Sequence, residues 1–204
     1  MKKEDYLRKQ ICDIGNRLWL KGFTPSNSGN IVVKLSDTEY LATPHMVSKG
    51  NMTPAMIVKL RYERDKPEDE RITVIESLSG YDTTSEIKIH LVAMDVIPEA
   101  NATIHSHAPF AQVLSLLGVD AIRLPEHYAG AKVIRIVPWA EAGTWELAYG
   151  NVDALKGSWS KSVVMGCHGS LTTGVDLEDA YMKQEQMEHA AKVAYLYKTY
   201  TATP

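Results

Sequence analysis

The sequence predicts a single α/β domain in which helices cover a central mixed or antiparallel sheet. Helical and strand patterns alternate along the 204 residues, a length that suits one full domain better than two. Several connections between predicted strands are too short to hold a crossover helix, which neighbouring parallel strands would need. Because the chain has no internal repeat, low-complexity tract or linker, we expect residues 1–204 to form one domain.

Helices are predicted from apolar spacing and from capping residues. Apolar residues recur at helical spacing over the first twenty positions, and Gly22 follows as a stop signal. Residues 82–84 can cap a helix that ends near Val96, and Thr144 can cap another that ends near Leu155. Further helices are expected over residues 108–117 and 176–197.

Strands are predicted where short runs are rich in β-branched and aromatic residues. The runs predicted as strands cover residues 31–35, 39–42, 71–76, 102–104, 133–137 and 162–165. Between two of them, the stretch from Arg61 to Arg71 is dense in charge and predicts a solvated loop.

The composition excludes several classes of function. Hydrophobic residues make up 45% of the chain and charged residues 23%, as in ordinary globular domains. Lys and Arg number 22 and Asp and Glu 25, so we expect no nucleic-acid partner, whereas a small anionic ligand remains compatible. Two cysteines are too few for a disulfide scaffold, and no apolar run approaches the roughly 20 residues of a membrane span. We therefore expect a cytoplasmic protein with no membrane partner.

The strongest chemical signal is a pair of histidines, His105 and His107, at the end of a predicted strand. Side chains two residues apart on a strand point to the same face, so both imidazoles can bind one metal ion. Neutral imidazole suits zinc and similar divalent ions. A pair of hydrogen-bonded structural histidines is the alternative, because a catalytic metal site usually needs three protein ligands.

A third ligand is available in His168, which follows the predicted strand 162–165 at a glycine-bounded turn. Strand ends in α/β proteins are common places for functional sites. Cys167 could compete for the metal, but as the neighbour of His168 on a strand-like stretch it should point the other way. We therefore predict that Cys167 belongs to the core.

Glu86 offers a carboxylate in the first turn of the helix that precedes these histidines. A glutamate in that position often only stabilises the helix N-terminus. The alternative is a role in acid/base chemistry at the metal, which the wider pattern of motifs favours.

Motifs along nearly the whole chain resemble those of one family. They are the Gly-Asn-hydrophobic loop Ser28-Gly29-Asn30-Ile31, a Thr-Pro segment at Thr43-Pro44 followed by Lys49-Gly50, the helix start Ser85-Glu86 with His90, the segment from Pro98 to His107, His127-Tyr128, and His168-Gly169. In this order and spacing they resemble the class II aldolase/adducin family, typified by the fuculose-phosphate aldolases.

The resemblance implies a cofactor, an assembly and roles for individual residues. In the family, His105, His107 and His168 would bind a divalent metal, with Glu86 both contacting the metal and acting as the acid/base. We expect Zn²⁺, with Mn²⁺, Co²⁺ or Fe²⁺ as alternatives. Tyr128 would donate a proton, often across a subunit boundary, and a homotetramer is implied. The residues expected to bind the substrate and its phosphate are Gly29, Asn30, Thr43, His45, Thr84 and Ser85.

The sequence departs from the family where the aldolases have a small Thr-Gly pair for the phosphate. Here the pair is His45 and Met46, and bulky side chains hinder a backbone cradle for an anion. Either His45 itself binds the anion when protonated, or Met46 fills the space and excludes it. An exposed loop histidine with no role is the third option. We favour binding by His45, because the other anion-binding segments are present.

The expected function is retro-aldol cleavage of a ketose phosphate through a metal-stabilised enediolate, with Glu86 moving the proton at the reacting carbon. Decarboxylation or dehydration of a related sugar acid or sugar phosphate is the alternative on the same scaffold. An epimerase is disfavoured, because family members of that kind carry Asp where this chain has Glu86. An adducin-like interaction module is disfavoured, because such modules lack the ligand set found here.

Overall fold

Nine strands form one sheet in the part of the chain that the structure, a computed structural model, describes, namely residues 2–125 and 132–201. They are β1 (Asn30–Lys34), β2 (Glu39–Ala42), β3 (Val58–Tyr62), β4 (Ile72–Glu76), β5 (Ala102–Ser106), β6 (Ala121–Arg123), β7 (Val133–Val137), β8 (Ser162–Met165) and β9 (Gly169–Gly174). Their order is β4-β3-β2-β1-β5-β9-β8-β7-β6. Neighbours are antiparallel except β7 and β8, which are parallel. The predicted mixed sheet is therefore confirmed.

Helices cover both faces of this sheet. They are α1 (Lys3–Leu20), α2 (Ile87–Val96), α3 (Pro109–Leu116), α4 (Trp145–Gly150), α5 (Val152–Gly157) and α6 (Leu177–Thr201). Residues of α2, α4 and α5 share one core cluster, whereas α1, α3 and α6 contribute to clusters on the other face. In β1, Val32 packs into the first cluster and Ile31 and Val33 into another, as the alternation of a strand requires. Among the described residues, no helix is long and apolar enough to span a membrane.

The charged stretch after residue 60 begins as a strand, so the solvated loop predicted from Arg61 is wrong at its start. Arg61 and Tyr62 belong to β3, which pairs with β2 and β4. Leu60 and Tyr62 are buried while Arg61 is exposed. The charged residues that follow masked this alternation in the sequence.

Two predicted helices begin or end differently in the structure. The helix expected from residues 82–84 begins only at Ile87, because Thr83 pairs with Pro44 in an isolated bridge. Thr144 does cap its helix, accepting from the Leu147 N–H at 3.1 Å. That helix then breaks into α4 and α5 at Asn151, whose side-chain amide donates to the Leu147 carbonyl.

Helix α3 is held at its N-terminus by a carboxylate from another helix. The Glu188 side chain of α6 accepts hydrogen bonds from the backbone N–H groups of Phe110 (2.8 Å) and Ala111 (3.0 Å). These are N–H groups that the helix itself cannot satisfy. From α3, the Gln112 amide donates to the His168 carbonyl. The Glu188 contact therefore positions the helix that supports a predicted metal ligand.

We expect Glu188→Ala to lower the free energy of unfolding by about 1–3 kcal/mol, because two buried N–H groups lose a charged acceptor. Glu178→Ala is the control, since its ion pair with Arg17 is about half exposed and should contribute roughly 1 kcal/mol or less. Denaturant titration of both variants measures the difference. Equal losses in the two would show that Glu188 does not stabilise α3.

Candidate metal centre

Three histidines converge at one end of the sheet. His105 lies on β5, His107 follows the last residue of that strand, and His168 lies in the turn between β8 and β9. Strand β9 pairs with β5, which sets this turn beside the end of β5. The three ring centroids are separated by 4.8, 5.0 and 5.2 Å. The structure thus brings together all the histidines that the sequence proposes as metal ligands.

Gly169 permits this close approach. A Cβ atom added at Gly169 would overlap the Ser106 carbonyl oxygen, and it would lie 2.9 Å from His105 Cε1 and 3.0 Å from His107 Cδ2. Only a residue without a side chain lets β9 start this close to β5. The glycine after His168 is therefore a packing requirement of the site.

The arrangement of nitrogen and oxygen atoms fits a divalent metal ion. His105, His107, His168 and Glu86 each offer one ligand atom, and these atoms lie within 4.8 Å of one another. Nε2 of His105 is 3.1 Å from Nε2 of His107, close to the roughly 3.3 Å that two nitrogens on one tetrahedral zinc would show. Nδ1 of His105 donates to the Ser170 carbonyl at 2.8 Å, which points Nε2 into the site.

The protonation states also suit a metal. Burial, reinforced by the neighbouring imidazoles of His105 and His168, lowers the pKa of His107 to about 4. His107 is therefore neutral near pH 7 and has a lone pair available for a ligand bond. Burial alone would raise the pKa of Glu86, but the His105 and His168 imidazoles reverse this and hold it below its ordinary value.

Glu86 faces the histidines and does not cap its own helix. It occupies the N-cap position of α2, yet its side chain accepts no capping hydrogen bond. Instead, Oε2 lies 3.2 Å from Nε2 of His105, and Oε1 lies 3.1 Å from Nε2 of His168. These contacts do not fit the interpretation in which Glu86 only stabilises the helix N-terminus.

A buried chain of hydrogen bonds orients Glu86. The Asn30 amide donates to Glu86 Oε2 at 2.9 Å, so the Asn30 amide oxygen faces Nε2 of His90, which must donate to it. Nδ1 of His90 then accepts from the Thr103 hydroxyl at 2.7 Å. Burial lowers the pKa of His90 to about 3, so the imidazole stays neutral. The sequence identified His90 only as part of the Ser85-Glu86 helix-start motif, without a role, and did not identify Thr103.

A cavity of about 290 Å³ adjoins the histidines. This size is at the lower end of the range of roughly 300–1,000 Å³ typical of small-molecule sites. Its lining residues are Asn27, Ser28, Gly29, Asn30, Pro44, His45, Met46, Lys49, Thr84, Ser85, Glu86 and His107. Most of the predicted substrate-binding residues therefore share one cavity with Glu86.

Thr43 is the predicted substrate-binding residue that does not line this cavity. Its hydroxyl accepts from the Ile31 N–H at 3.2 Å, and its carbonyl accepts from the Thr84 N–H at 3.1 Å. The side chain is fully buried. Thr43 therefore joins two of the segments that form the cavity wall.

The bulky pair His45 and Met46 lines the cavity. Met46 adopts φ 57°, a left-handed conformation that favours glycine, and its side chain is 69% exposed. The backbone thus keeps the turn that a glycine would make, while the Met46 sulfur accepts a hydrogen bond from the Asn27 side-chain amide at 2.8 Å. His45 is exposed at the rim of the cavity. Met46 and His45 both line the cavity, so which of them decides whether an anion enters stays a prediction.

Cys167 does not join this group of residues. The prediction that Cys167 belongs to the core is wrong, because the residue is exposed. Strand β8 ends at Met165, and Cys167 adopts φ 55° in the turn, so strand alternation no longer applies to it. Tyr128, the predicted proton donor, lies outside the described residues.

Comparison with known proteins identifies the family. The family model for the class II aldolase and adducin N-terminal domain matches residues 9–195. The 3-oxo-tetronate 4-phosphate decarboxylase of Escherichia coli (strain K12) is 24% identical, covering 96% of this chain and 89% of its own length. The L-fuculose phosphate aldolase of the same organism is 29% identical, covering 92% and 81%.

The fold is likewise that of a solved structure. An L-fuculose 1-phosphate aldolase superposes with a TM-score of 0.78 at 24% identity, covering 95% of this chain and 86% of that one. The mixed sheet and its helical layers are therefore shared over nearly the whole length. The family match over residues 9–195 and this common fold lead to one conclusion: the chain belongs to the class II aldolase and adducin N-terminal domain family.

Proposed function

We propose that this chain is a metal-dependent lyase that breaks a carbon–carbon bond next to a carbonyl group in a small phosphorylated substrate. The position of Glu86 carries the proposal. Its carboxylate lies 3.1–3.2 Å from two imidazoles of the candidate metal centre and also lines the adjoining cavity. A base or acid must be within reach of both the activated carbonyl group and the reacting carbon.

His105, His107 and His168 would hold the metal, and zinc suits this set of nitrogen and carboxylate ligands best. A divalent metal in that position would polarise the carbonyl group and stabilise the negative charge that bond cleavage leaves on its oxygen. Glu86, fixed by the Asn30 amide, would move the proton at the carbon where the bond breaks.

Retro-aldol cleavage is the first candidate reaction. One proton leaves the hydroxyl group on the carbon that becomes an aldehyde, and one proton adds to the carbon that stays beside the carbonyl group. Glu86 would supply the proton that adds to the carbon, and Tyr128 would accept the proton that leaves the hydroxyl group. The aldolase relative, 29% identical over most of both chains, supports this candidate.

Decarboxylation is the second candidate, and the decarboxylase relative, which covers 96% of this chain, supports it. Carbon dioxide leaves from the carbon next to the carbonyl group, and one proton adds in its place. This reaction needs Glu86 only as the proton donor. The two candidates are distinguished by assaying aldehyde and carbon dioxide release from ketose phosphates, the matching free sugars and 3-oxo acid phosphates.

The resemblance to the family aldolases, in which the tyrosine often acts across a subunit boundary, also implies an oligomer. Several large apolar side chains are exposed near the ends of α3 and α6, namely Leu116, Leu117, Leu196, Tyr197 and Tyr200. Such exposure is typical of surfaces that another chain covers. We propose that the chain assembles as a homotetramer.

The metal ligands are tested by His168→Ala. We expect the parent protein to hold one divalent ion per chain and the variant to lose most of it, because two imidazoles and a carboxylate form a weaker site. His189→Ala, an exposed histidine on α6, is the matched control and should keep its metal. Elemental analysis gives the answer, and full metal content in His168→Ala would remove His168 from the site.

The role of Glu86 is tested by Glu86→Gln, which is nearly isosteric and removes only the ionisable group. We expect the fold and the metal content to be kept and turnover to fall about 10²–10⁴-fold. Glu99→Gln, an exposed residue preceding β5, should behave as the parent. Steady-state kinetics decides, and a Glu86→Gln rate within a factor of a few of the parent would exclude an acid/base role.

The assembly is tested by light scattering at the protein concentration used for assays. We expect a mass of about four chains, as the family resemblance implies. A fully active monomer would contradict both the assembly and a site at a subunit boundary.

A further inference from the structure

The cavity is lined by a buried cation, Lys49, that no described carboxylate neutralises at ion-pair distance. The residue is 2% exposed. Its ammonium group bonds to two backbone carbonyl oxygens, those of Asn27 at 3.1 Å and Val47 at 2.6 Å. The negative charge of Glu86 favours the protonated form of Lys49, but the two groups form no direct ion pair in the described part of the chain.

A buried ammonium group without a counter-ion is unfavourable, so proteins normally pair such a charge with an anion. Burial lowers the pKa of Lys49 to about 8, while the charge of Glu86 opposes this shift. Lys49 is therefore still mainly protonated near pH 7. A divalent ion held by neutral histidines and Glu86 would itself keep a net positive charge, so it and Lys49 together would make the cavity attractive to an anion.

The Lys49 side chain connects two of the loops that form the cavity. Asn27 precedes Gly29, which has φ 70°, and Val47 follows Met46, which also has a left-handed backbone. An ammonium group has three N–H donors, and the two carbonyl oxygens use two of them. One donor remains for a ligand in a cavity whose wall also includes the Thr84 and Ser85 segment.

We propose that Lys49 binds the phosphate group of the substrate in this cavity. The proposal rests on the function proposed above and names the residue that recognises the anionic end of the substrate. In the family aldolases a small Thr-Gly pair lets the backbone bind the phosphate, and here His45 and Met46 replace that pair. The ammonium group of Lys49 would supply a positive charge beside them. His45 at the rim is exposed, whereas Lys49 is desolvated, so its bond to a phosphate oxygen is screened less by water.

A structural role alone makes a different prediction. If Lys49 only ties the Asn27 and Val47 carbonyls together, its removal lowers thermal stability without a selective effect on phosphate. The variants are therefore Lys49→Met, which keeps the bulk, and Lys49→Gln, which keeps a hydrogen-bond donor but no charge. The matched control is Lys59→Met, because Lys59 is partly buried but pairs with Glu4 and Glu39.

The test is calorimetric titration of inorganic phosphate into the metal-loaded proteins. We expect both Lys49 variants to bind phosphate about 10- to 100-fold more weakly than the parent, the loss typical of one charge-assisted hydrogen bond. Lys59→Met should stay within about twofold of the parent. Unchanged phosphate affinity in folded Lys49 variants, or no phosphate binding by the parent, would overturn the proposal.

A crystal structure of the parent protein soaked with phosphate keeps the proposal testable if the variants do not fold. A phosphate oxygen within hydrogen-bond distance of Lys49 Nζ supports it, and phosphate bound only elsewhere overturns it. These measurements do not depend on turnover. Failure of the substrate assays would therefore count against the proposed lyase function, whereas failure of phosphate binding at Lys49 would count against this inference.

Discussion

Two imidazole nitrogens, Nε2 of His105 and Nε2 of His107, face each other 3.1 Å apart at the end of β5. Two unprotonated nitrogens repel at that distance unless a proton or a metal ion lies between them. Burial keeps His107 neutral near pH 7, and the Ser170 carbonyl fixes the proton of His105 on its far nitrogen. The surrounding structure therefore holds the two ligand atoms at a distance that a shared proton or a bound metal ion would stabilise.

The surrounding elements can be understood as supports for this arrangement. Gly169 lets the β8–β9 turn approach β5, and Gln112 of α3 holds the backbone of His168. On the other side, the antiparallel pairing of β1 with β5 places Asn30 opposite His105, from where its amide reaches Glu86. A shift of either strand by one residue would point these side chains to the opposite face.

Many residues of this site could be predicted from the sequence, because ligands of one metal ion must lie at characteristic positions along strands and turns. His105 and His107 alternate along a strand, His168 follows a predicted strand at a glycine-bounded turn, and the family resemblance gave Glu86 its proposed acid/base role. Contacts made through the backbone left no such pattern. Lys49 stood in a family motif without a role, and only its bonds to the Asn27 and Val47 carbonyl oxygens show that its ammonium group connects two cavity loops.

The fold was predictable where apolar periodicity was clear and was missed where charge or turns disguised it. The mixed sheet followed from the short connections, whereas β3 was hidden by the charged residues after Leu60. Cys167 was misplaced because alternation was extended past Met165, where the chain turns with a left-handed residue. Local patterns lose their meaning at such turns, and functional residues are concentrated there.

The measurement that tests the central claim most directly is X-ray absorption spectroscopy of the zinc-loaded protein. If His105, His107 and His168 form the centre, the first shell contains only nitrogen and oxygen at about 2.0–2.2 Å, with the multiple scattering of imidazole rings. A sulfur atom at about 2.3 Å would place Cys167 in the coordination shell, and a shell without imidazole scattering would contradict the histidine centre altogether.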